Sequence, residues 1–309
     1  MANWHPNYQP RDWTLVDYQE FKIDGSDIPF RGPALDPFAA DPGSFFTCIG
    51  AAQTYGCFFP KPYPTLLSEA IGLPALNLAV GGSGPGLYAD DDVLIDAMNR
   101  SRFVVLQAMS GRSESNALYA ADGYVEYVRD RRTGEQVNSS QAWQRIVGEG
   151  IESARARLEE SRQSWVESSH RLLAKLTVPV IFFWYSRREP DYAIDEAAIE
   201  EQMRKRAAGE KTSFFVDGLV GDFPQLIDGK TMRAVADRCD AVVECLSGRG
   251  MGQKLFNRFT GEPFAATVDS GSPEYDIDYS INYYYPSAEM HEDAAAALAP
   301  VAKALMEGR

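Results

Sequence analysis

Residues 178–185 form an almost continuous apolar run, Val-Pro-Val-Ile-Phe-Phe-Trp-Tyr. A parallel strand that is buried on both faces has this kind of sequence, so the run is predicted to be a central strand. Similar short runs occur at 45–49, 75–80, 102–108 and 241–246. Helical patterns alternate with them, at 64–71, 88–99, 140–176 (interrupted near 148–150), 194–208, 229–238 and 288–306. This alternation predicts an α/β fold with a parallel sheet and helices on both faces.

The first 44 residues differ from the rest of the chain. They contain several prolines and little periodicity, yet they carry aromatic residues that would cover apolar surface on docking. We therefore predict an N-terminal arm, residues 1–44, packed on a single α/β domain, residues 45–309. The polar residues 113–145 are predicted to form an insertion beside the site, with a hairpin or loop near 129–134.

Composition narrows the class of partner. The 309-residue chain has a formal net charge of -14, which argues against nucleic acid as a ligand because phosphate binding relies on a positive surface. The four cysteines lack metal-ligand spacing and are predicted to stay reduced. No run approaches the ~20 apolar residues that span a bilayer, so we expect a soluble, cytoplasmic protein.

Three loop segments appear in a suggestive order. Residues 50–56 read Gly-Ala-Ala-Gln-Thr-Tyr-Gly, residues 77–82 read Asn-Leu-Ala-Val-Gly-Gly, and residues 282–291 read Asn-Tyr-Tyr-Tyr-Pro-Ser-Ala-Glu-Met-His. In spacing they resemble the sequence blocks of the SGNH/GDSL hydrolase superfamily. The resemblance implies a three-layer, flavodoxin-like parallel sheet, with an oxyanion-hole glycine corresponding to Gly82.

In this chain, other residues stand at the positions of that superfamily's catalytic residues. Ala52 stands at the position of the serine nucleophile and Ala51 at that of the preceding aspartate. In the last block, either Asn282 and Tyr285 replace the aspartate and histidine, or His291 itself faces the site. The first alignment is preferred because Pro-Ser at 286–287 anchors it. Without a serine hydroxyl the acyl-enzyme route is closed. The chain also resembles a proteobacterial domain family of unknown function and acyltransferase-like capsule-biosynthesis proteins, whose loop shares Gln53.

Ligands of open α/β sheets bind beyond the carboxyl ends of the strands. Arginine, serine and glycine amides there would suit an anionic group, although the arginines could equally form salt bridges at the surface. The predicted binding residues are Thr54, Tyr55, Ser83, Ser110, Arg112, Ser113, Arg187 and Tyr285.

These residues predict a transferase that moves an acyl or sulfo group onto a hydroxyl of a saccharide or small metabolite. His291 would be the base, Gln53 and Gly82 would stabilise charge, and Arg112 and Arg187 would hold the donor. The co-substrate would be a coenzyme A thioester or the sulfate donor PAPS, with no metal and no tightly bound cofactor. Two alternatives remain open: a non-catalytic ligand-binding protein, and an esterase whose nucleophile has moved to Ser83 or Ser110.

Overall fold

A five-stranded parallel sheet forms the centre of the computed structural model, which describes residues 8–123, 125–193, 195–209, 221–264, 266–268 and 277–307. The strands are β1 (Phe46–Ile49), β2 (Ala75–Asn77), β3 (Val104–Gln107), β4 (Tyr119–Ala121), β5 (Tyr127–Asp130), β6 (Gln136–Asn138), β7 (Val180–Ser186), β8 (Ala241–Leu246), β9 (Gln253–Lys254), β10 (Ala266–Val268), β11 (Ile277–Tyr279) and β12 (Ile281–Asn282). The helices are α1 (Tyr8–Asp12), α2 (Ala52–Tyr55), α3 (Tyr63–Ile71), α4 (Pro85–Ala89), α5 (Asp92–Asn99), α6 (Ser139–Gly148), α7 (Ile151–Lys175), α8 (Glu196–Ala207), α9 (Gly229–Ala236) and α10 (Ala288–Glu307).

The central sheet has the order β2-β1-β3-β7-β8, and all of its neighbouring strands are parallel. Counting only these five strands, the order is 2-1-3-4-5, which is the flavodoxin-like arrangement. The predicted three-layer α/β fold with a parallel sheet is therefore confirmed. The strand order reverses between β1 and β3, since β2 lies on one side of β1 and β3 lies on the other. We therefore expect a ligand to bind beyond the carboxyl ends of β1 and β3.

Alternate residues of the strands fill two different layers. Leu106 and Phe182 pack into the core beneath α5 and α7, whereas Val105 and Phe183 pack against α3 and α10. Successive side chains of a strand point to opposite faces, so one continuous apolar run supplies both cores. This is why the sequence of β7 contains no polar face.

The predicted insertion is a small subdomain. Strands β4, β5 and β6 form an antiparallel sheet, where the sequence suggested only a hairpin or loop. Its own core joins Tyr119 and Val128 to Trp143 of α6 and Leu158 of α7. The predicted long helix is divided between α6 and α7 at Gly150, whose φ of 122° favours glycine.

The described part of the arm lies on the domain. Ile23, Ile28 and Phe30 join the core of one layer. Arg31 is buried, and its guanidinium donates to the carbonyl oxygens of Gly56 (3.2 Å), Phe59 (2.9 Å) and Pro60 (2.9 Å). The arm is thus anchored to the loop that follows α2.

None of the helices in the described ranges is both long enough and apolar enough to cross a membrane.

Candidate functional site

The loops after β1 and β2 are held together around Gly50. The hydroxyls of Ser83 and Tyr88 each lie 2.9 Å from the Gly50 carbonyl oxygen and donate to it. Gly50 has no room for a side chain, because a Cβ atom would lie 2.5 Å from Thr54 Oγ1 and would also overlap with Gln107. Ser83, a predicted ligand contact and candidate nucleophile, is fully buried in this arrangement.

Gln107, at the end of β3, fixes the start of α2. Its Oε1 accepts hydrogen bonds from the Ala51 amide (3.1 Å) and from Thr54 Oγ1 (2.6 Å). Thr54 Oγ1 also lies 3.0 Å from the Tyr63 hydroxyl. Thr54 was predicted to bind a donor, but the structure places it in the interior, where it links α2 to α3.

Ala52 lies among aromatic rings. Tyr8, Tyr55, Phe58 and Tyr285 belong with it to one buried cluster, here named the Ala52 cluster. The ring centroids of Tyr8 and Tyr55 are 5.2 Å apart, and those of Phe58 and Tyr285 are 5.1 Å apart, both in edge-to-face geometry. The Tyr55 hydroxyl donates to Glu20 of the arm at 2.6 Å.

Tyr285 is brought to this cluster by the turn before α10. Asn282 Oδ1 accepts from the amides of Tyr284 (3.1 Å) and Tyr285 (2.9 Å), and its Nδ2 donates to the Tyr285 carbonyl at 2.8 Å. The preferred alignment paired Tyr285 with the position that faces Ala52. The structure brings these two residues into the same cluster.

His291 lies in a different environment, between α3 and the first turn of α10. Its Nδ1 accepts the Tyr63 amide at 3.2 Å, and its ring stacks on Phe59 with centroids 5.2 Å apart. The side chain is fully buried. Burial, aided by the charge of Arg31, lowers the pKa of His291 to about 3. A buried neutral imidazole whose Nδ1 is already occupied lacks the access to an acceptor hydroxyl that the predicted base requires.

Arg112 and Ser110 stabilise the loop after β3. Ser110 Oγ accepts from the Arg112 amide (3.2 Å) and Nε (3.3 Å), and Arg112 Nη1 donates to Ser140 Oγ at 2.9 Å. The indole of Trp143 donates to the Arg112 carbonyl at 3.3 Å. The loop is therefore attached to α6 of the insertion.

The arginines after β7 are also engaged. Arg187 pairs with Asp222 at 3.5 Å and donates to the Tyr283 carbonyl at 3.1 Å. Arg188 donates to the carbonyls of residues 189, 222, 224 and 227 and stacks on Tyr192 at 3.9 Å. Burial lowers the pKa of Arg188 to about 10. The partners of Arg187, Asp222 and Tyr283, differ from Ser110 and Ser140, which Arg112 contacts.

Gly82 meets the insertion directly. Its φ is 72°, and a Cβ atom there would lie 3.0 Å from Cβ of Glu126. Ser113 Oγ donates to the Gly82 carbonyl at 3.3 Å. The contact of Glu126 with this turn was not predicted, because the pattern of residues 113–138 did not reveal that this segment folds back over the sheet edge.

Gln53 and Cys57 complete the surroundings of Ala52. Gln53 is 4% exposed, and among the described residues its Oε1 has no hydrogen-bond partner. A buried amide oxygen without a partner is costly. Among the described residues Nε2 of His291 and Nε2 of Gln107 are in the same condition. Cys57 is fully buried, and burial raises the pKa of its thiol well above the usual range, which keeps it protonated.

Glu114 is a second carboxyl group absent from the predictions. It is fully buried at the end of the loop after β3, and its Oε2 accepts from Ser164 (2.9 Å) and Ser168 (3.1 Å) of α7. Burial raises its pKa to about 7. The sequence feature that could have marked Glu114 as a candidate is its position directly after Ser113, a predicted binding residue.

A cavity of about 300 Å³ lies elsewhere, near α6, α7 and α8. Its charged lining is internally paired: Arg155 binds Glu196, and Arg162 contacts Asp228 at 3.0 Å. Tyr192 and Ala193 of the loop after β7 line it, but no residue of the loops after β1, β2 or β3 does. We therefore place the candidate site at the carboxyl edge, around Ala52. Within the described residues, no three His, Cys, Asp or Glu side chains come together as a metal site requires.

Comparison with known proteins gives a limited result. A family model described as a domain of unknown function (DUF6473) matches residues 7–129, which is less than half of the chain. No curated protein matches. Among solved structures, LAE5, an alpha/beta hydrolase enzyme from the metagenome of Lake Arreo, Spain, is 11% identical, with 64% of this chain and 94% of that chain covered and a TM-score of 0.29. A similarity this low carries no functional argument, and the SGNH/GDSL resemblance stays a prediction.

Proposed function

We propose that this protein binds a small hydroxylated ligand of the saccharide type, without covalent catalysis, at the carboxyl edge of its sheet. The observation that carries the proposal is the pairing of Ala52 with Tyr285 in one aromatic cluster. At the two positions where the resemblance implies a nucleophile and a base, the chain has a methyl group and a phenol ring. Such a pair offers contact surface in place of proton transfer.

The chemistry around Ala52 suits a sugar ring. Aromatic faces of Tyr55, Phe58 and Tyr285 pack against apolar C–H surfaces, and the amide of Gln53 has an acceptor oxygen for a ligand hydroxyl. Glu126 adds an acidic residue whose Cβ and backbone lie against Gly82. A few polar groups in a largely apolar setting are typical of small-molecule sites.

The relocated-nucleophile alternative receives little support from the geometry. Ser83 Oγ donates to the Gly50 carbonyl, and Ser110 Oγ is held by the amide and Nε of Arg112. Neither hydroxyl has a histidine among the contacts recorded for it. We expect no adduct with a serine-directed fluorophosphonate.

The test is a thermal-shift and calorimetric screen of methyl glycosides, polyols and inorganic sulfate, repeated with Tyr285→Ala. The matched control is Tyr283→Ala, because Tyr283 is 58% exposed and lies outside the Ala52 cluster. We expect a glycoside to raise the melting temperature of the wild type and of the control, but not of Tyr285→Ala. Equal binding by both variants would place the ligand elsewhere and contradict the proposal.

Direct group transfer is the second candidate, and Glu126 is the observation that favours it. In this reaction an acceptor hydroxyl oxygen forms a bond to the donor's acyl carbon or sulfur, and its proton passes to the Glu126 carboxylate. The bond to the coenzyme A thiolate, or to the phosphate of PAPS, breaks, and the leaving group departs with the electron pair. Arg112, beside the same edge, would face the donor's anionic part.

To test for transfer, the protein is incubated with acetyl-coenzyme A or PAPS and with the glycoside found by the screen. Mass spectrometry then measures whether an acetylated or sulfated glycoside has formed. Glu126→Gln should lower turnover about 10²-fold or more if the carboxylate takes the proton. Glu135→Gln is the control, since Glu135 is exposed on the same insertion and pairs only with Arg145 at 3.3 Å in the described structure. If the ligand binds but no product forms, the transfer reaction is contradicted and only the binding function stands.

A further inference from the structure

The cavity of about 300 Å³ between α6, α7 and α8 lies away from the carboxyl edge of the sheet. One wall of it is formed by two neighbouring stripes of α7. The apolar stripe consists of Ile151, Ala154 and Leu158. The charged stripe consists of Arg155, Glu159 and Arg162. Residues three, four or seven positions apart lie on one side of a helix, so the cavity follows the axis of α7 for about 17 Å.

The rest of the lining is mostly aromatic and aliphatic. Trp143 of α6 and Ile199 of α8 are buried in the same core as Leu158, and Tyr192 of the loop after β7 also lines the cavity. Protein cores contain few voids larger than a water molecule. A cavity of this size beside a packed core is therefore more than a packing gap. Its volume lies at the lower end of the range of small-molecule sites and accommodates roughly ten non-hydrogen atoms.

Arg162, at one end of the charged stripe, is fixed by the protein itself. Its side chain is only 12% exposed, its Nε donates to the Leu226 carbonyl at 2.7 Å, and its Nη1 contacts Glu159 (2.7 Å) and Asp228 (3.0 Å). Two carboxylates and a carbonyl surround this guanidinium, so removing it from them would leave partly buried polar groups unsatisfied. This end of the cavity is therefore a closed polar wall.

Arg155, at the other end of the stripe, is held much less tightly. Its side chain is 52% exposed and lies between two carboxylates, with Nε 2.7 Å from Glu196 and Nη1 3.0 Å from Glu152. Exposed ion pairs of this kind contribute little to stability. The contact between Arg155 and Glu196 can therefore be exchanged for a contact with a ligand at small cost. Glu196 lines the cavity, whereas Glu152 does not.

The exchange favours one sign of ligand charge. If an ammonium group takes Glu196, Arg155 keeps Glu152 and every charge stays paired. If a carboxylate takes Arg155, Glu196 is left without a basic partner among the described residues, because both of its oxygens bond to Arg155. The lining carries three carboxylates and two guanidinium groups, and the whole chain has a net charge of -14. Both balances attract a cation.

We propose that this cavity is a second ligand site, which binds a small organic cation with its ammonium group beside Glu196 and its apolar body against Trp143, Leu158 and Ile199. The charged and apolar stripes of α7 match these two parts of the ligand. The cavity shares no lining residue with the Ala52 cluster. The inference therefore goes beyond the proposed function and does not depend on it.

The first experiment compares four probes by calorimetry on the full chain. 2-Phenylethylamine has both parts, 2-phenylethanol has a hydroxyl in place of the ammonium group, 3-phenylpropionate has a carboxylate, and methylamine lacks the apolar body. We expect 2-phenylethylamine to bind about threefold to fivefold more tightly than the alcohol, and more tightly still than the other two. Equal or tighter binding of any of the other three, or no binding of 2-phenylethylamine, would overturn the proposal.

Two single variants test the exchange, and they should change affinity in opposite directions. Glu196→Gln removes the carboxylate that pairs with the ligand, so 2-phenylethylamine should bind about threefold to fivefold more weakly. Arg155→Gln removes the cation that competes for Glu196, so the same probe should bind more tightly by a similar factor. Glu201→Gln is the control, since Glu201 lies on α8, pairs with Arg204 and does not line the cavity. Changes of the same sign in both variants would contradict the proposal.

A third variant tests the position of the apolar body. Ala193 is an exposed residue of the cavity lining, so Ala193→Trp places an indole at the cavity without enlarging a core residue. We expect this variant to keep the circular dichroism of the wild type and to bind 2-phenylethylamine about tenfold or more weakly, whereas Ala193→Ser should bind it as the wild type does. Unchanged binding by a folded Ala193→Trp would place the probe elsewhere and overturn the proposal.

The same variant separates this inference from the proposed function. Glycoside binding at the carboxyl edge should be equal in Ala193→Trp and in the wild type, because the indole is added outside the Ala52 cluster. A protein that binds 2-phenylethylamine in this pattern but no glycoside has the second site and lacks the proposed function. A protein that binds a glycoside but not 2-phenylethylamine has the proposed function and lacks the second site.

Discussion

The loop that follows β1 has two sides, and they use their residues in opposite ways. On the side of α3 and α10, His291, Tyr63 and Thr54 bond to one another's chain segments and close the interior. On the side of the arm, Ala52 and Tyr285 meet among aromatic rings. Each side also holds a buried polar atom without a hydrogen-bond partner in the described structure: Nε2 of His291 on the first side and Oε1 of Gln53 on the second. The reactive-looking residues therefore stabilise the fold, and the unreactive ones form the candidate site.

The largest expected effect concerns acid stability on the His291 side. Because the pKa of His291 is lowered from 6.5 to about 3, the stability that its neutral form provides is complete above pH 6.5 and is lost as pH falls toward 3, by up to about 5 kcal/mol. Urea unfolding of wild type and His291→Gln at pH 3.5 and pH 7 measures it. Between pH 7 and pH 3.5, the free energy of unfolding of His291→Gln should fall much less than that of the wild type.

Tyr285→Phe is the control for that experiment, because it changes the other side of the loop and removes no group that titrates in the acid range. Its acid loss should equal that of the wild type. If His291→Gln loses as much stability in acid as the wild type does, the histidine is not buried in its neutral form, and the contrast between the two sides disappears.

The next largest effect concerns the pH dependence of stability at Glu114, a second buried titratable group. The pKa of Glu114 is raised from 4.5 to about 7, so the stability it supports is complete below pH 4.5 and falls by about 3 kcal/mol as pH rises through 7. Glu114→Gln cannot ionise, and it should gain on the wild type by about this amount between pH 4 and pH 9. Unfolding curves at the two pH values check this, and parallel pH profiles would contradict it.

The smallest effects come from the two arginines after β7. Arg188→Ala should lower the free energy of unfolding by about 2 kcal/mol, since it leaves the partly buried carbonyl groups of Pro224 and Ile227 without a charged donor. Arg187→Ala should cost less than about 1 kcal/mol, because its partner Asp222 is exposed. A reversed order in urea unfolding would mean that Arg187, and not Arg188, anchors this loop.

The sequence predicted those features that repeat along the chain. The apolar run of β7 and the alternation of strands with helices were sufficient to predict a parallel sheet, because burial on both faces leaves a direct mark on composition. The break between α6 and α7 was visible at residues 148–150. Strand lengths were less accurate: the strand predicted at 75–80 ends at Asn77, where the chain leaves the sheet toward Gly81.

The site was harder to predict because its members depend on contacts between distant segments. Nothing local marks Tyr8 as a neighbour of Gly81, or Glu126 as a neighbour of Gly82, since both contacts require the arm and the insertion to fold over the sheet edge. His291 shows the converse. Its place in the last sequence block suggested chemistry, whereas the rings of Phe59 and Tyr63 around it determine that it is part of the core.

The buried Arg31 has a practical consequence for anyone who shortens or tags this chain. A version that starts at residue 45 would leave the carbonyl groups of Gly56, Phe59 and Pro60 without their donor, so the arm cannot be treated as a dispensable leader.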